Sequence, residues 1–476
     1  MNPRFCTVRI RLTDVKRSLL ARAPKLVAEW ASTIEASPIG RRIYQGAFWS
    51  LAGAIIARVF AQIGYVVAAR VLGQKGYGEL AVIESTVAMF SSFAGFGLGV
   101  ATTNKVSAFR RTDPERVSRV LALSRVVALG TGSLVATILL VLAPWLAQRT
   151  LAAPHLSGQL RIACLLVLLS AINGVQSSAL LGFEAFKSVA FLSSISGIIS
   201  LPLMVLGSWK LGLTGAVCAM AASNLINSIL ANAALRRQVR SIGGTLGFAQ
   251  WTSEWRLLVS HSLPIILTTA IITPIAWVAN MIVVNQPSGY EQMGIYNAAT
   301  RWYGILLFLP STLMQPLMPV LSGEFAKGER QRIMRVFRAS TLVTMGAVAP
   351  FVLGLSAISP VIMRWYGPTF EAGWPILCVV LCTALVYTFH INIYQCIFAA
   401  GRLWLVFYLQ IVWCLVFVLV TFLLRRHGAF SLAMSQLTSY LALDLLAFIS
   451  LKRILRTLVA TNGDGRSKDE SPPTPA

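Results

Sequence analysis

The chain has 476 residues, of which 56% are hydrophobic and only 12% charged, and its formal net charge is +24. A water-soluble domain carries about 25% charged residues, so this composition excludes an ordinary soluble protein. The basic excess would suit nucleic acid, but its distribution along the chain follows membrane topology instead and leaves no nucleic-acid partner expected.

Residues 1–46 read as a basic cytoplasmic N-terminal segment. Arg9, Arg11, Lys16, Arg17, Arg22 and Lys25 alternate with Val15, Leu19, Leu20, Leu26, Val27 and Trp30. That pattern suits a helix lying on the inner membrane surface; a disordered tail or an artefact of an upstream start codon fits the same residues. No apolar core of about 7–15 residues precedes Ala47, so a cleaved signal peptide is not expected.

Twelve apolar spans follow, near 47–69, 80–103, 121–143, 161–181, 189–208, 214–234, 262–284, 294–320, 339–362, 374–397, 404–424 and 430–450. Each is close to the ~20 residues a helix needs to cross a bilayer. Lipid admits only helices or closed barrels, and these runs are too long for barrel strands of about 10 alternating residues. The predicted fold is an all-α polytopic membrane protein. A first transmembrane repeat covers 47–234, a cytoplasmic linker 235–261 and a second repeat 262–450. A cytoplasmic tail, 451–476, is Gly, Asp, Ser and Pro rich from Thr461 and expected to be disordered there.

With the N-terminus inside, most of the 41 Lys and Arg fall on cytoplasmic segments, richest at Lys105–Arg119, Arg236–Arg256 and Lys327–Arg338. This is the positive-inside asymmetry, and it places both termini in the cytoplasm. Arg425 and Arg426 are the local exception. Some attraction to anionic membrane lipids is expected as well.

The twelve spans read as two copies of six. Gly78 and Gly294 open spans 2 and 8 and lie 216 residues apart, as do Pro144 and Pro360 after spans 3 and 9. Gly182-Phe183 after span 4 corresponds to Gly401-Arg402 after span 10, and Gly215-Ala216 at span 6 to Gly428-Ala429 at span 12. Six crossings are even in number, so the copies are parallel and related by an axis along the membrane normal. Transporters built this way hold their substrate between the repeats, in a central cavity near the midplane.

Arg58 sits inside the apolar run Ala47–Ala69, and Arg301 inside span 8. A guanidinium at mid-membrane costs from about 2.5 to more than 10 kcal/mol by different methods, and such groups face a wet cavity or an anionic partner. Ser50, Arg58, Gln62 and Tyr65 share one helical face, as do Asn297, Thr300, Arg301 and Gly304. Arg58, Arg301, Gln62 and Asn297 are therefore candidate substrate-binding residues for something negative. Glu84, His390 and Asp444 are candidates for ion coupling, with structural alternatives: a bundle histidine for His390, and a structural pair with Lys452 for Asp444. Asn and Ser on spans 4 and 6, among them Asn173, Asn224 and Ser228, read more simply as interhelical hydrogen bonds.

No Walker A loop, H-E-x-x-H or G-x-S-x-G motif occurs, so no catalytic residue, metal ligand or cofactor is assigned. Six of seven cysteines fall within spans, where they read as packing residues rather than a disulfide framework.

The chain resembles the bacterial polysaccharide-transporter or oligosaccharide flippase family, within the multidrug/oligosaccharidyl-lipid/polysaccharide exporter superfamily. The resemblance covers roughly Arg41 to Leu455. It rests on Gly46 to Arg58, Ala69-Arg70-Val71-Leu72-Gly73, Gly76-Tyr77-Gly78, Gly95-Phe96-Gly97-Leu98-Gly99, the Gly182-Phe183 turn and the repeat. It implies that an undecaprenyl-diphosphate-linked oligosaccharide is flipped across a bacterial inner membrane by alternating access, for surface polysaccharide synthesis. Glycosyltransferases and a polysaccharide polymerase are the protein partners it suggests. Similar flippases place arginines in the first and eighth spans, where Arg58 and Arg301 stand. The chain ends after twelve spans, without the two extra ones of peptidoglycan-precursor flippases, and span 1 lacks the acidic residue frequent in drug exporters. A cation-coupled multidrug exporter of the same superfamily remains the alternative. A membrane-bound glycan polymerase or ligase fits less well, because no outer loop is long enough to carry catalytic groups.

Overall fold

The computed structural model describes residues 38–94, 98–244, 263–314 and 317–466, and these are helical throughout apart from turns. In chain order the helices are α1 (Pro38–Ala94), α2 (Leu98–Phe109), α3 (Pro114–Trp145), α4 (Ser157–Gly182), α5 (Phe186–Ser241), α6 (Leu263–Val284), α7 (Gly289–Met314), α8 (Leu317–Lys327), α9 (Arg330–Ala357), α10 (Ser359–Tyr366), α11 (Trp374–Ala399), α12 (Leu403–Leu423) and α13 (Ala429–Arg466). Seven of them, α3, α4, α5, α9, α11, α12 and α13, contain stretches long and apolar enough to cross a membrane, and Ile271–Val284 is a shorter apolar helix.

The segmentation differs from the predicted spans in two places. Spans 1 and 2 run together in the 57-residue α1, which is broken at Gly73, where φ is +70°. Spans 5 and 6 run together in the 56-residue α5, broken at Gly212 with φ +57°. At both points a left-handed residue replaces the loop that was expected, and glycine reaches that region without a Cβ penalty. Within spans 2 and 8, residues 95–97 and 315–316 lie outside the described residues. Helix α13 continues to Arg466, six residues into the segment read as disordered from Thr461. The basic segment 1–37, the stretch 245–262 of the linker and loop Arg236–Arg256, Gly95-Phe96-Gly97, and residues 467–476 lie outside the described residues.

Local chemistry sets the helix ends. Asp113 caps α3, its carboxylate accepting from the Arg116 backbone N–H at 2.9 Å, with Pro114 in the first turn. Helices α1–α5 pack chiefly on one another, as do α6–α13, and the two sets meet where α1 packs on α7 and α6. More than half of the apolar stretches of α4 and α11 is buried, against 28% for α3 and 17% for α9. Leu342, Leu353, Val141 and Trp209 stand exposed on the peripheral helices, on surfaces suited to lipid.

Candidate functional site

The site lies where α1 meets α7. The closest approach is made by two glycines. A Cβ on Gly78 would stand 1.7 Å from the Tyr290 carbonyl oxygen, and one on Gly294 would stand 2.3 Å from that of Gln74. Any other residue would force these helices apart. Around this crossing, the Gln74 amide donates to the Thr369 carbonyl at 3.2 Å and Arg70 Nε to the Trp365 carbonyl at 2.6 Å. Tyr290 donates to the Leu151 carbonyl at 2.7 Å and Asn285 to that of Thr150 at 2.9 Å. Tyr77, Tyr366 and Phe370 are fully buried beside it, with ring centroids about 6 Å apart. The described hydrogen bonds between the two sets of helices therefore gather at the end carrying Gly73 and the 366–373 turn, and continue inward from there.

Deeper along α1 and α7 stand the predicted polar residues. Arg301 forms an ion pair with Glu84, and its guanidinium lies 3.5 Å from the Tyr65 ring centroid. The Tyr65 hydroxyl donates to the other Glu84 oxygen at 2.9 Å. Both charged side chains are mostly buried, 23% and 18% exposed. In a low dielectric such a pair is strongly coupled, because separating it leaves an uncompensated charge. Three donors nearby are buried without a partner among the described residues: Arg301 Nε, Asn297 Nδ2 and Trp302 Nε1. Unmet donors are costly in a buried site, and these three are suited to an acceptor-rich ligand.

Arg58 differs from its expected state. It is exposed rather than buried, and its Nη1 donates to the Gly304 carbonyl at 3.0 Å while the guanidinium covers the Phe308 ring at 4.6 Å. An arginine's planar head can stack on an aromatic face and keep donors free. Gln62, one turn on, donates to the Tyr366 hydroxyl at 2.5 Å. Arg58, Gln62, Glu84, Asn297 and Arg301 are thus brought into one region, with Arg58 about two turns nearer the far end. No sequence signal marked Tyr366, Trp302 or Phe308, because the chain holds 46 Phe, Trp and Tyr in all and nothing in their spacing sets these three apart.

His390 and Asp444 are not part of this region. They form a buried pair between α11 and α13, His390 Nδ1 to Asp444 Oδ1 at 2.7 Å, each side chain 7% exposed. The rings of Tyr387, Tyr394 and Tyr440 enclose the imidazole at 5.1–5.5 Å. Lys452, considered from sequence as Asp444's partner, instead places its ammonium 4.4 Å over the Phe448 ring. The distance of two turns was too long for that pair, whereas His390 faces Asp444 across the helix contact. On α4 and α5, Asn173 donates to Asn224 at 3.2 and 3.3 Å, an interhelical bond of the simple kind. No cluster of three or more His, Cys, Asp or Glu suited to a metal occurs among the described residues.

Comparison with known proteins places this architecture. Two curated relatives are both the EPS I polysaccharide export inner membrane protein EpsE, from Ralstonia solanacearum and Ralstonia nicotianae. The first is 23% identical over 303 residues, 62% of this chain and 68% of the relative; the second is 23% identical over 347 residues, 71% and 78%. Among solved structures, an inward-facing multidrug resistance MATE family transporter of the MOP superfamily matches 86% of this chain and 99% of its own, with TM-score 0.72 and 11% identity. An outward-facing structure of a transporter so described matches with TM-score 0.63 and 12% identity over 88% of this chain and 96% of its own. A MOP superfamily transporter from Pyrococcus furiosus, titled as having a binding pocket of reverse polarity, matches with TM-score 0.60 at 12% identity, over 85% and 96%. These likenesses show the transporter fold. The family model described as polysaccharide biosynthesis protein matches residues 43–324, and the chain belongs to that family.

Proposed function

We propose that this protein moves a lipid-linked oligosaccharide, carried on a polyprenyl diphosphate such as undecaprenyl diphosphate, from the inner to the outer leaflet of a bacterial inner membrane. The observation that carries the reading is Arg301, mostly buried where the two helix sets meet, with its own Nε and the neighbouring Asn297 Nδ2 and Trp302 Nε1 lacking acceptors among the described residues. A diphosphate supplies both the negative charge and the acceptor oxygens, which arginine can take two at a time. Arg58 adds a second cation along the same helix pair. The export relatives and the family support a polysaccharide cargo and the inner membrane.

The organisation proposed with it is twelve transmembrane helices in two parallel repeats, 47–234 and 262–450, with both termini cytoplasmic. The alternation of the repeats about the site would expose it to each side in turn. Two features support the repeat. The paired glycines Gly78 and Gly294 each lie against the other's helix. The fourth and tenth spans are alike in burial. Glycosyltransferases that build the cargo and a polymerase that consumes it are the protein partners this role would require.

A cation-coupled drug exporter is favoured by one specific observation, the acidic and aromatic wall of Glu84, Tyr65 and Tyr77 on the same helix pair. The double variant Arg58→Gln, Arg301→Gln separates the two readings. It keeps bulk and hydrogen bonding but removes both positive charges. Glycan delivery to the outer leaflet should fall to background at normal protein levels. Full delivery would leave neither arginine in contact with an anion and would remove the argument for this cargo.

A further inference from the structure

Two cavities lie away from the α1–α7 site, on α9, α11 and α13. Helices α9 and α13 each pack on α11 but scarcely on each other, so a groove runs between them over α11. Its wide part, about 1680 Å³, is ringed by Arg330, Arg335, Arg338, Lys452 and Arg456. Its one acidic neighbour, Glu329, is held by Arg332 at 2.7 Å. Among the described residues none of the five ringing cations has a carboxylate partner. Phe389 and Phe448 line the wide part and also a second chamber of about 350 Å³, otherwise lined by Met345, Leu385, Leu441 and other residues of α9, α11 and α13. That chamber is apolar up to Asp444, which is held by His390. The groove thus has a cationic mouth at one end and an apolar channel two to three turns deeper.

Its walls point outward. Leu342 is 74% exposed, Leu445 63% and Leu441 50%. Surfaces of that kind on a membrane protein face acyl chains. A cationic cluster beside them lies at the level of phosphate headgroups, and basic pockets between membrane helices take doubly anionic lipids. Five cations without a carboxylate partner among the described residues exceed what one phosphodiester can balance.

We propose that this groove is a binding site for a bilayer phospholipid bearing two phosphates, of the cardiolipin type, with its headgroup on Arg335, Arg338 and Lys452 and an acyl chain in the chamber beside Phe389 and Phe448. The site is built wholly on the second helix set, so it stays intact whichever way the two sets lean. It goes beyond the transport reading and does not depend on the cargo. In the proposed orientation the lipid belongs to the cytoplasmic leaflet.

The test is native mass spectrometry of the full-length protein in detergent, titrated with cardiolipin, with phosphatidylglycerol and with a polyprenyl diphosphate. Wild type should retain cardiolipin in preference to phosphatidylglycerol. The variant Arg335→Gln, Arg338→Gln, Lys452→Gln should lose cardiolipin affinity by roughly a hundredfold, taking about fivefold for each surface cation. A charge-matched control, Arg236→Gln, Arg237→Gln, Arg240→Gln, removes the same charge outside the groove and should retain the lipid. All six side chains lie at the surface end of their helices, and size-exclusion profiles report folding directly. Equal cardiolipin retention by the groove variant and the control would overturn the proposal. So would equal retention of cardiolipin and phosphatidylglycerol by wild type. Loss of polyprenyl diphosphate, rather than of cardiolipin, in the groove variant would reassign the groove to the cargo.

Discussion

Replacing Glu84 by glutamine tests whether the ion pair with Arg301 competes with the cargo. In the structure Arg301 is already paired with Glu84, and on the proposed function an incoming diphosphate would have to compete with that carboxylate. Glutamine keeps an acceptor for the Tyr65 hydroxyl, which donates to Glu84 at 2.9 Å, and removes only the charge. Two effects of opposite sign follow. Without ligand, Arg301 becomes an uncompensated and mostly buried cation, and breaking a buried pair in this way costs about 3–5 kcal/mol. With ligand, the competing carboxylate is gone. A charge-assisted hydrogen bond is worth about 1.5–3 kcal/mol, or roughly 10–150-fold in affinity. Glu84→Gln should therefore melt at lower temperature than wild type when empty, yet bind a polyprenyl diphosphate more tightly and gain more stability from it. Turnover in proteoliposomes should fall, because nothing displaces the bound anion. Melting curves with and without the lipid, together with a binding titration, measure both effects. A Glu84→Gln protein that binds the diphosphate no better than wild type would refute the competition and return the pair to a structural role.

Two further outcomes are expected. Gly78→Ala places a methyl group 1.7 Å from the Tyr290 carbonyl oxygen, and overpacking of this kind costs about 1–3 kcal/mol; spin-label distances between Gln148 and Ser288 should lengthen or broaden, and an unchanged distribution would show that α1 and α7 are not held by this crossing. Asp444→Asn keeps an acceptor for His390 Nδ1 while removing the charge from the pair, so if the pair carries the coupling proton, uptake should cease to respond to an imposed pH gradient while binding persists; an undiminished response would leave His390 and Asp444 as packing partners.

Much of this architecture was legible from the chain because lipid imposes such strict rules. The apolar runs gave the helices, and the 216-residue spacing of Gly78 and Gly294 marked two positions that the structure places against each other's helices. The breaks were less legible. A loop was expected after span 1, yet Gly73 takes a left-handed conformation and helix resumes at once on either side. Hydropathy reports which residues avoid water, and it says little about whether the backbone between two such runs turns or bends. In the site, the burial of Arg301 was readable, but its pairing with Glu84 was not, and Arg58, expected to be buried as well, is exposed. Glu84 lies within a turn of the position equivalent to Arg301, so its relation to Arg301 resembled a repeat correspondence rather than a contact. Only the packing of α1 on α7 turns that near-equivalence into an ion pair across the two sets of helices. His390 shows the opposite limit: its face with Tyr387 and Tyr394 was evident from spacing, while its partner 54 residues away on α13 was not.

The same two helices carry both the glycine crossing and the Arg301–Glu84 pair, and this has an energetic consequence for any opening at that end. The crossing at Gly78 and Gly294 is a packing contact, and separating it costs dispersion and buried area but no charge. The ion pair deeper in is different. Parting α1 from α7 would leave a guanidinium and a carboxylate each needing a new partner, and arginine cannot shed its proton to avoid the cost. Water can supply that partner once the space is open, and so can a diphosphate, which brings charge as well as acceptors. A bound anion would therefore lower the free energy of the separated state more than that of the closed one, and a ligand shifts an equilibrium only by such a difference. On the proposed function, an exchange of Glu84 for phosphate at Arg301 would therefore link binding of the cargo to the parting of α1 from α7.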